Sequence, residues 1–382
     1  MSERTRRQFL EVAGAAAATA VLAPSALASG RVTPVRAAPE LPLPALPLGP
    51  TAPYSSYQSE IYIGGMGLGT KPPFTTNLAG LEAAAARVLP ESARRHLIAA
   101  AGGAAAADAN VRALDAWRIV PRMFIDREKR DLRTSLLGVT MPTPIILGPV
   151  GRQALAHADA EAGSARAAAG LGLTYVHSAQ ASTPVEGIAA GAPTAPSGSR
   201  WFAVDWPDGA PDVALLRRAR LAGCTHLVLA PPQPGGSWSA LAQIRSAWSG
   251  PIVLSGIQNV ADARDAVSRG LDGIVVSNER GRRGAKPAGT IDILPRIADA
   301  VGSRVPVLFG SGVRTGTDVY RALALGADAV VVGRPYVHGL ALGGEGGVRH
   351  MLRTLIAELD ITLAIAGVAS RRDLDPGALV RS

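Results

Sequence analysis

Two glycine-rich turns carry the clearest chemistry in this 382-residue chain. One reads Gly310-Ser311-Gly312-Val313-Arg314-Thr315-Gly316 and the other Gly333-Arg334-Pro335, and each follows a short apolar run. Glycine lets backbone N–H groups come close to an anion. Arg314 and Arg334 can add charge-assisted hydrogen bonds. Together these features favour a ligand that bears a phosphate. A plainer reading stays open, in which the glycines only make tight turns and the arginines are solvated.

The elements that must position these turns are regular. Short apolar runs recur at Pro144–Pro149, Leu173–Ser178, Arg200–Val204, His226–Ala230, Pro251–Ser255, Gly273–Ser277, Pro306–Gly310 and Ala329–Gly333. Such runs suit strands buried on both faces. Helical stretches lie between them, among them Ala158–Gly170, Pro211–Gly223, Val260–Gly270 and Gly316–Gly326, each ending at a glycine stop. Eight β-α units in succession predict an α/β fold, a (β/α)8 TIM barrel. An open doubly wound sheet ranks lower, because no Gly-x-Gly-x-x-Gly follows the first strand. In barrels of this kind the loops after strands seven and eight often bind phosphate, which is where both turns fall. Ahead of the barrel, Leu78–Leu89, Glu91–Ala101 and Ala105–Leu114 read as helices, and the glycine-rich Ile61–Gly69 reads as a loop.

The first residues read as an address. Arg6-Arg7 precede Phe9-Leu10, an Ala-rich apolar stretch follows, and Ala26-Leu27-Ala28 offers a cleavage site. This is the pattern of a twin-arginine export signal, too short for a membrane span. The expected destination is the periplasm or the extracellular space. Residues 29–56, rich in proline, form a tether. The expected divisions are thus a signal over 1–28, the linker over 29–56, a helical segment over 57–134 and the barrel over 135–382.

The net charge is +9, with only Lys71, Lys129 and Lys286 as lysines, so arginine dominates. That balance favours a small anionic substrate or ligand. No zinc-finger spacing, RNA-binding signature or long basic block points to nucleic acid. The single cysteine, Cys224, excludes an internal disulfide and a cysteine metal cluster, and reads as a small buried hydrophobe. No histidine pair has metal-ligand spacing backed by carboxylates. His157 reads as structural, and His226, His338 and His350 have no evident partner.

Several segments carry a family likeness. Phe309–Val319, Ala322–Ala327 and Gly333-Arg334-Pro335 resemble the flavin phosphate region of the FMN-dependent 2-hydroxy-acid oxidases and dehydrogenases. Trp117–Arg122 and Leu147-Gly148-Pro149-Val150-Gly151 resemble that family's pre-barrel segment and first strand, and Tyr57–Tyr62 resembles its lactate 2-monooxygenase-like branch. The likeness runs from about residue 57 to 375. It implies FMN as cofactor, held by Pro149, Val150, Gly151, Ser178, Ser255, Gly310, Ser311, Gly312, Arg314, Gly333 and Arg334. It also allows a homotetramer.

In that family a His abstracts a proton, Arg and Tyr hold the substrate carboxylate, and a Lys stabilises the reduced flavin. This chain departs from the pattern at those positions. The family's Ser-Asn-His-Gly aligns with Ser277-Asn278-Glu279-Arg280, so Glu279 stands for the His. Ser255 stands for the Lys, and Gly310 for the Asp that orients the His. Ala203 and Asp205 stand for a Gln and a Tyr, Ala230 and Pro232 for a Thr and an Asp, and His96 for the N-terminal Tyr. The Arg after the base motif is kept as Arg282. The readings left open are a divergent flavoenzyme with Glu279 as base and Arg282 as anion clamp, a non-catalytic flavin- or anion-binding barrel, a flavin-free barrel serving a partner, and aldol chemistry on Lys286.

Overall fold

The computed structural model describes residues 53–98, 104–124, 130–191, 199–207, 210–230, 238–278 and 289–382. The expected export signal, the tether up to residue 52, and the segment holding Glu279, Arg280, Arg282, Arg283 and Lys286 lie outside the described residues. Two compact units emerge. One takes Pro53–Tyr57 and Pro72–Ser382, and the described part of the other is Gln58–Lys71.

The larger unit is a closed barrel of eight parallel strands, as the alternation of runs and helices predicts. The strands are β1 (Ile145–Leu147), β2 (Thr174–Ser178), β3 (Arg200–Asp205), β4 (His226–Ala230), β5 (Ile252–Ile257), β6 (Gly273–Val276), β7 (Val307–Gly310) and β8 (Ala329–Val332). A helix follows each: α1 (Ala160–Gly170), α2 (Val185–Gly191), α3 (Val213–Leu221), α4 (Ala240–Ala247), α5 (Val260–Ser268), α6 (Thr290–Val301), α7 (Gly316–Ala324) and α8 (Arg334–Ala366). The long α8 is two helices joined across Gly343-Gly344. Gly344 sits at φ +55, and a Cβ there would lie 2.4 Å from Asp159 Oδ2.

Side chains alternate along each strand. Ile146, Val176, Trp201, Val228, Val253, Val275, Leu308 and Ala329 form the barrel interior. Their neighbours Tyr175, Phe202, Leu227, Leu254, Ile274, Phe309 and Val330 pack outward into the main core shared with the helices. The floor of the barrel is a hairpin that sequence reasoning missed, Thr134–Leu136 against Val139–Met141. Its turn residues Leu137 and Gly138 both have positive φ, as a two-residue hairpin turn requires. Leu136 and Met141 plug the interior. A second unforeseen pairing ties the C-terminal strand Leu379–Arg381 to Trp117–Ile119.

Two histidines thought to lack partners have them. His226 Nδ1 lies 2.8 Å from Thr225 Oγ1 and Nε2 lies 2.9 Å from the Leu137 carbonyl, with Trp201 stacked on the ring. His350 bridges Tyr57 Oη (2.7 Å) and the Phe74 carbonyl (2.9 Å). Cys224 is buried, and burial pushes its thiol up to about 12, so it stays protonated.

The stretch Ile61–Gly69 is not the expected loop. It belongs to a helix, Tyr57–Leu68. The glycines serve its end: Gly69 takes φ +64, and Thr70 folds back so that its N–H donates to the Gly64 carbonyl. A Cβ on Gly64 would come within 2.9 Å of Thr70 Oγ1. No helix among the described residues is long and apolar enough to cross a membrane.

Candidate functional site

The strand alternation fixes what faces the barrel mouth. Counting on in steps of two from the interior side chains, the last inward positions among the described residues are Gly148, Ser178, Ala230, Ser255, Ser277, Gly310 and, beyond Val331, Gly333, with Asp205 on β3 above Ala203. Among the described residues the rim is therefore built from small side chains, with the Asp205 carboxylate as the exception. Ser255 Oγ and Ser277 Oγ lie 3.4 Å apart. A Cβ on Gly310 would meet Ser277, Val275 and Val331 no closer than 3.7 Å, so that position has room for a side chain.

The β7 turn has the geometry of an anion cradle. Ser311 takes φ 88 and Gly312 φ 81, and a glycine-rich turn of this kind lets backbone N–H groups come close to an anion. Ser311 is costly there because L side chains avoid this region. The turn is braced from behind. Asn110, on the helix Ala104–Asp115, exchanges hydrogen bonds with Asn278 (2.9 and 3.2 Å) and accepts from Thr290 N and Oγ1 (3.1 Å each). Asn278 N–H in turn donates to Ser311 Oγ at 3.2 Å. The cradle runs into α7, whose N-terminus carries a capping box between Thr315 and Asp318. Across the β8 loop, a Cβ on Gly333 would meet nothing nearer than Val150 Cγ2 at 3.8 Å, so the space above it is open. Arg334 then opens α8. A phosphate-bearing cofactor fits this arrangement.

Arg314 differs from the expectation of a charge aimed at the anion. Its guanidinium pairs with Asp115 (2.8 Å) and Asp318 (3.3 Å), and Asp318 also accepts from Arg314 N–H at 3.0 Å. Asp115 and Asp318, from two helices, balance its charge, so its role here is to hold the turn.

The β1 loop, with Pro149, Val150 and Gly151, is held by a buried polar network. Gln153 Nε2 donates to the Val150 carbonyl (2.8 Å) and to Tyr336 Oη (3.2 Å), and Tyr336 Oη donates to the Gly148 carbonyl (2.8 Å). Glu161 is fully buried and accepts from Gln153 N–H, Ser182 N–H, Thr183 N–H and Thr183 Oγ. One carboxylate thus ties the loops after β1 and β2. Glu161→Gln places an amide NH2 against these donors and is expected to cost about 2 kcal/mol, read as a shift in urea midpoint. Sequence reasoning missed this residue, since nothing in its spacing distinguishes it from a solvated helix glutamate.

His177 faces the core and not the pocket. It lies on the outward face of β2, stacked on Phe202, with Nδ1 unpartnered. Burial pushes it down to about 4. Its unfolded value is near 6.5, so its contribution to stability is complete above that pH and is lost as pH falls towards 4. The loss is about 2 kcal/mol at pH 5. His177→Phe should remove that acid-side slope in urea titrations at pH 7 and pH 5. His338, one turn beyond Arg334, is likewise buried with Nε2 unpartnered. Burial, then the Arg334 cation, pushes it down to about 3, so it is neutral beside the β8 loop.

The model of FMN-dependent dehydrogenases matches residues 85–234 and 230–381. The chain belongs to the FMN-dependent 2-hydroxy-acid oxidase and dehydrogenase family. It is 33% identical to the FMN-dependent alpha-hydroxy acid dehydrogenase qulF of Penicillium citrinum, over 87% of this chain and 97% of that one. It is 32% identical to 2-hydroxyacid oxidase 1 of Homo sapiens, over 75% and 92%. A crystal structure of mandelate oxidase superposes with a TM-score of 0.72 at 33% identity, covering 81% of this chain and 99% of that chain. The cofactor of the family, and so of this member, is FMN.

Proposed function

We propose that this chain is a divergent FMN-dependent 2-hydroxy-acid oxidoreductase that keeps the flavin phosphate site and has replaced the family's base and flavin-side lysine. The observation that carries this is the contrast at the mouth: a braced left-handed turn at Ser311-Gly312 beside a rim of glycine, alanine and serine. FMN, when bound, supplies the electron acceptor. Ser311, Gly312, Gly333 and Arg334 would hold its phosphate, and Pro149, Val150, Gly151, Ser178, Ser255 and Gly310 would line its ring. Glu279 accepts the proton released from the hydroxy acid, and Arg282 pairs with the substrate carboxylate. Without the usual base and lysine, turnover is slow. The Arg6-Arg7 motif and Ala26-Leu27-Ala28 support export by the twin-arginine route.

The rim itself favours a second reading, a flavin- or anion-binding barrel without turnover, because Ala203, Ala230 and Gly310 carry no side chain that moves a proton. The two are separated by mixing the FMN-loaded chain anaerobically with a panel of 2-hydroxy acids. Slow bleaching of the flavin bands with at least one of them supports the oxidoreductase. Bleaching by none leaves the binding protein.

A further inference from the structure

The helix Ala104–Asp115 precedes the barrel in the chain, yet it meets both the β7 turn and the end of β6. Asn110 is a buried amide in this alanine-rich helix. Its side chain and that of Asn278 face each other and exchange two hydrogen bonds. An amide both donates and accepts in one plane, so the pair closes on itself. The same Asn110 Oδ1 accepts from Thr290 N–H and Oγ1. Asn278 reaches the turn through its backbone, whose N–H donates to Ser311 Oγ at 3.2 Å. Gly312 lies directly against Asn110, since a Cβ there would sit 3.2 Å from the Asn110 carbonyl carbon. The fit is as close at Gly289, where a Cβ would run into Ala113 and lie 3.1 Å from the Ala109 carbonyl oxygen.

Ser311, at φ 88, holds a conformation that L side chains avoid. A residue keeps such a conformation only where its surroundings over-determine it. Here the surroundings are the Asn278 N–H and the seat of Gly312 on the helix, and the Asn110 amide ties the two together.

We propose that Asn110 is a positioning residue for the cofactor: acting through Asn278, it keeps Ser311-Gly312 in the shape that receives the phosphate. This rests on the proposed function for the phosphate's place in that turn. Asn110→Ala leaves the Asn278 amide and the Thr290 donors without their buried partner. Asn278 then turns to other partners, and its N–H no longer aims at Ser311. Asn278→Ala removes the same amide pair from the other side and retains the backbone N–H.

The test is fluorescence titration of the flavin-free full chain by FMN and by riboflavin, which lacks the phosphate. The parent chain is expected to prefer FMN about 100-fold. Asn110→Ala should weaken FMN about 30-fold and riboflavin less than about 3-fold, a split that a general loosening of the fold does not produce. Asn278→Ala should show the same split, and it decides the matter if Asn110→Ala does not fold. The double variant should lose no more than the larger single loss, because both substitutions remove one pair. Equal losses for the two flavins, or additive losses in the double variant, overturn the proposal. A parent that does not distinguish FMN from riboflavin sinks the phosphate reading and this proposal with it. A parent that prefers FMN, with variants that keep the full preference, sinks this proposal alone.

Discussion

Gly312→Ala is expected to weaken FMN binding about 100-fold, on the order of 3 kcal/mol. Two effects combine. Gly312 sits at φ +81, where an alanine is strained, and its Cβ would lie 2.7 Å from Asn110 Cβ and 3.2 Å from Leu114 Cδ1. Asn110 cannot step aside cheaply, because Asn278 and Thr290 both hold it. The cradle must move instead, and the N–H groups it aims move with it. Gly170→Ala is the control: that glycine ends α1 and a Cβ there meets nothing within 4 Å, so the fold and the FMN affinity should both be unchanged. Fluorescence titration of FMN into flavin-free protein reads the affinity. An unchanged affinity in a folded Gly312→Ala protein would show that this turn does not hold the phosphate.

Glu279→Gln is expected to slow anaerobic flavin bleaching about 100- to 10,000-fold, the usual contribution of a general base. FMN affinity is the control reading: Glu279 is not among the residues assigned to the phosphate, so a folded variant should keep it. Arg282→Met should instead raise the substrate concentration needed for half-maximal bleaching, since it removes a carboxylate partner. If Glu279→Gln bleaches at the rate of the parent chain, the proton goes elsewhere and Glu279 is not the base.

Much of this was readable from residues because barrel strands announce themselves. Each expected run overlaps its strand: Gly273–Ser277 covers Gly273–Val276, whereas Arg200–Val204 and Pro251–Ser255 stop one and two residues short of the ends of Arg200–Asp205 and Ile252–Ile257. The reason is that both faces of every strand are buried, so apolar residues run without interruption. The glycine turns were legible for a related reason: positive φ at Gly312 demands the residue type that is seen. The hairpin floor escaped because three-residue strands carry too few side chains for an alternating pattern. The Ile61–Gly69 stretch misled because its glycines, read as loop, close a helix at Gly69. Arg314 misled because residue type shows a charge but not its partner, and Asp115 lies far away in sequence. Glu161 and the Gln153 network are properties of packing alone.

The central claim is that the braced turn still holds FMN beneath a rewritten rim. The most direct measurement is the visible absorption spectrum of the full chain purified from the cytoplasm of an overexpressing cell, followed by release and identification of the chromophore. Flavin bands, with FMN released, are the expected result. A folded, colourless protein that takes up no added FMN would contradict the account and leave a barrel turned to another use.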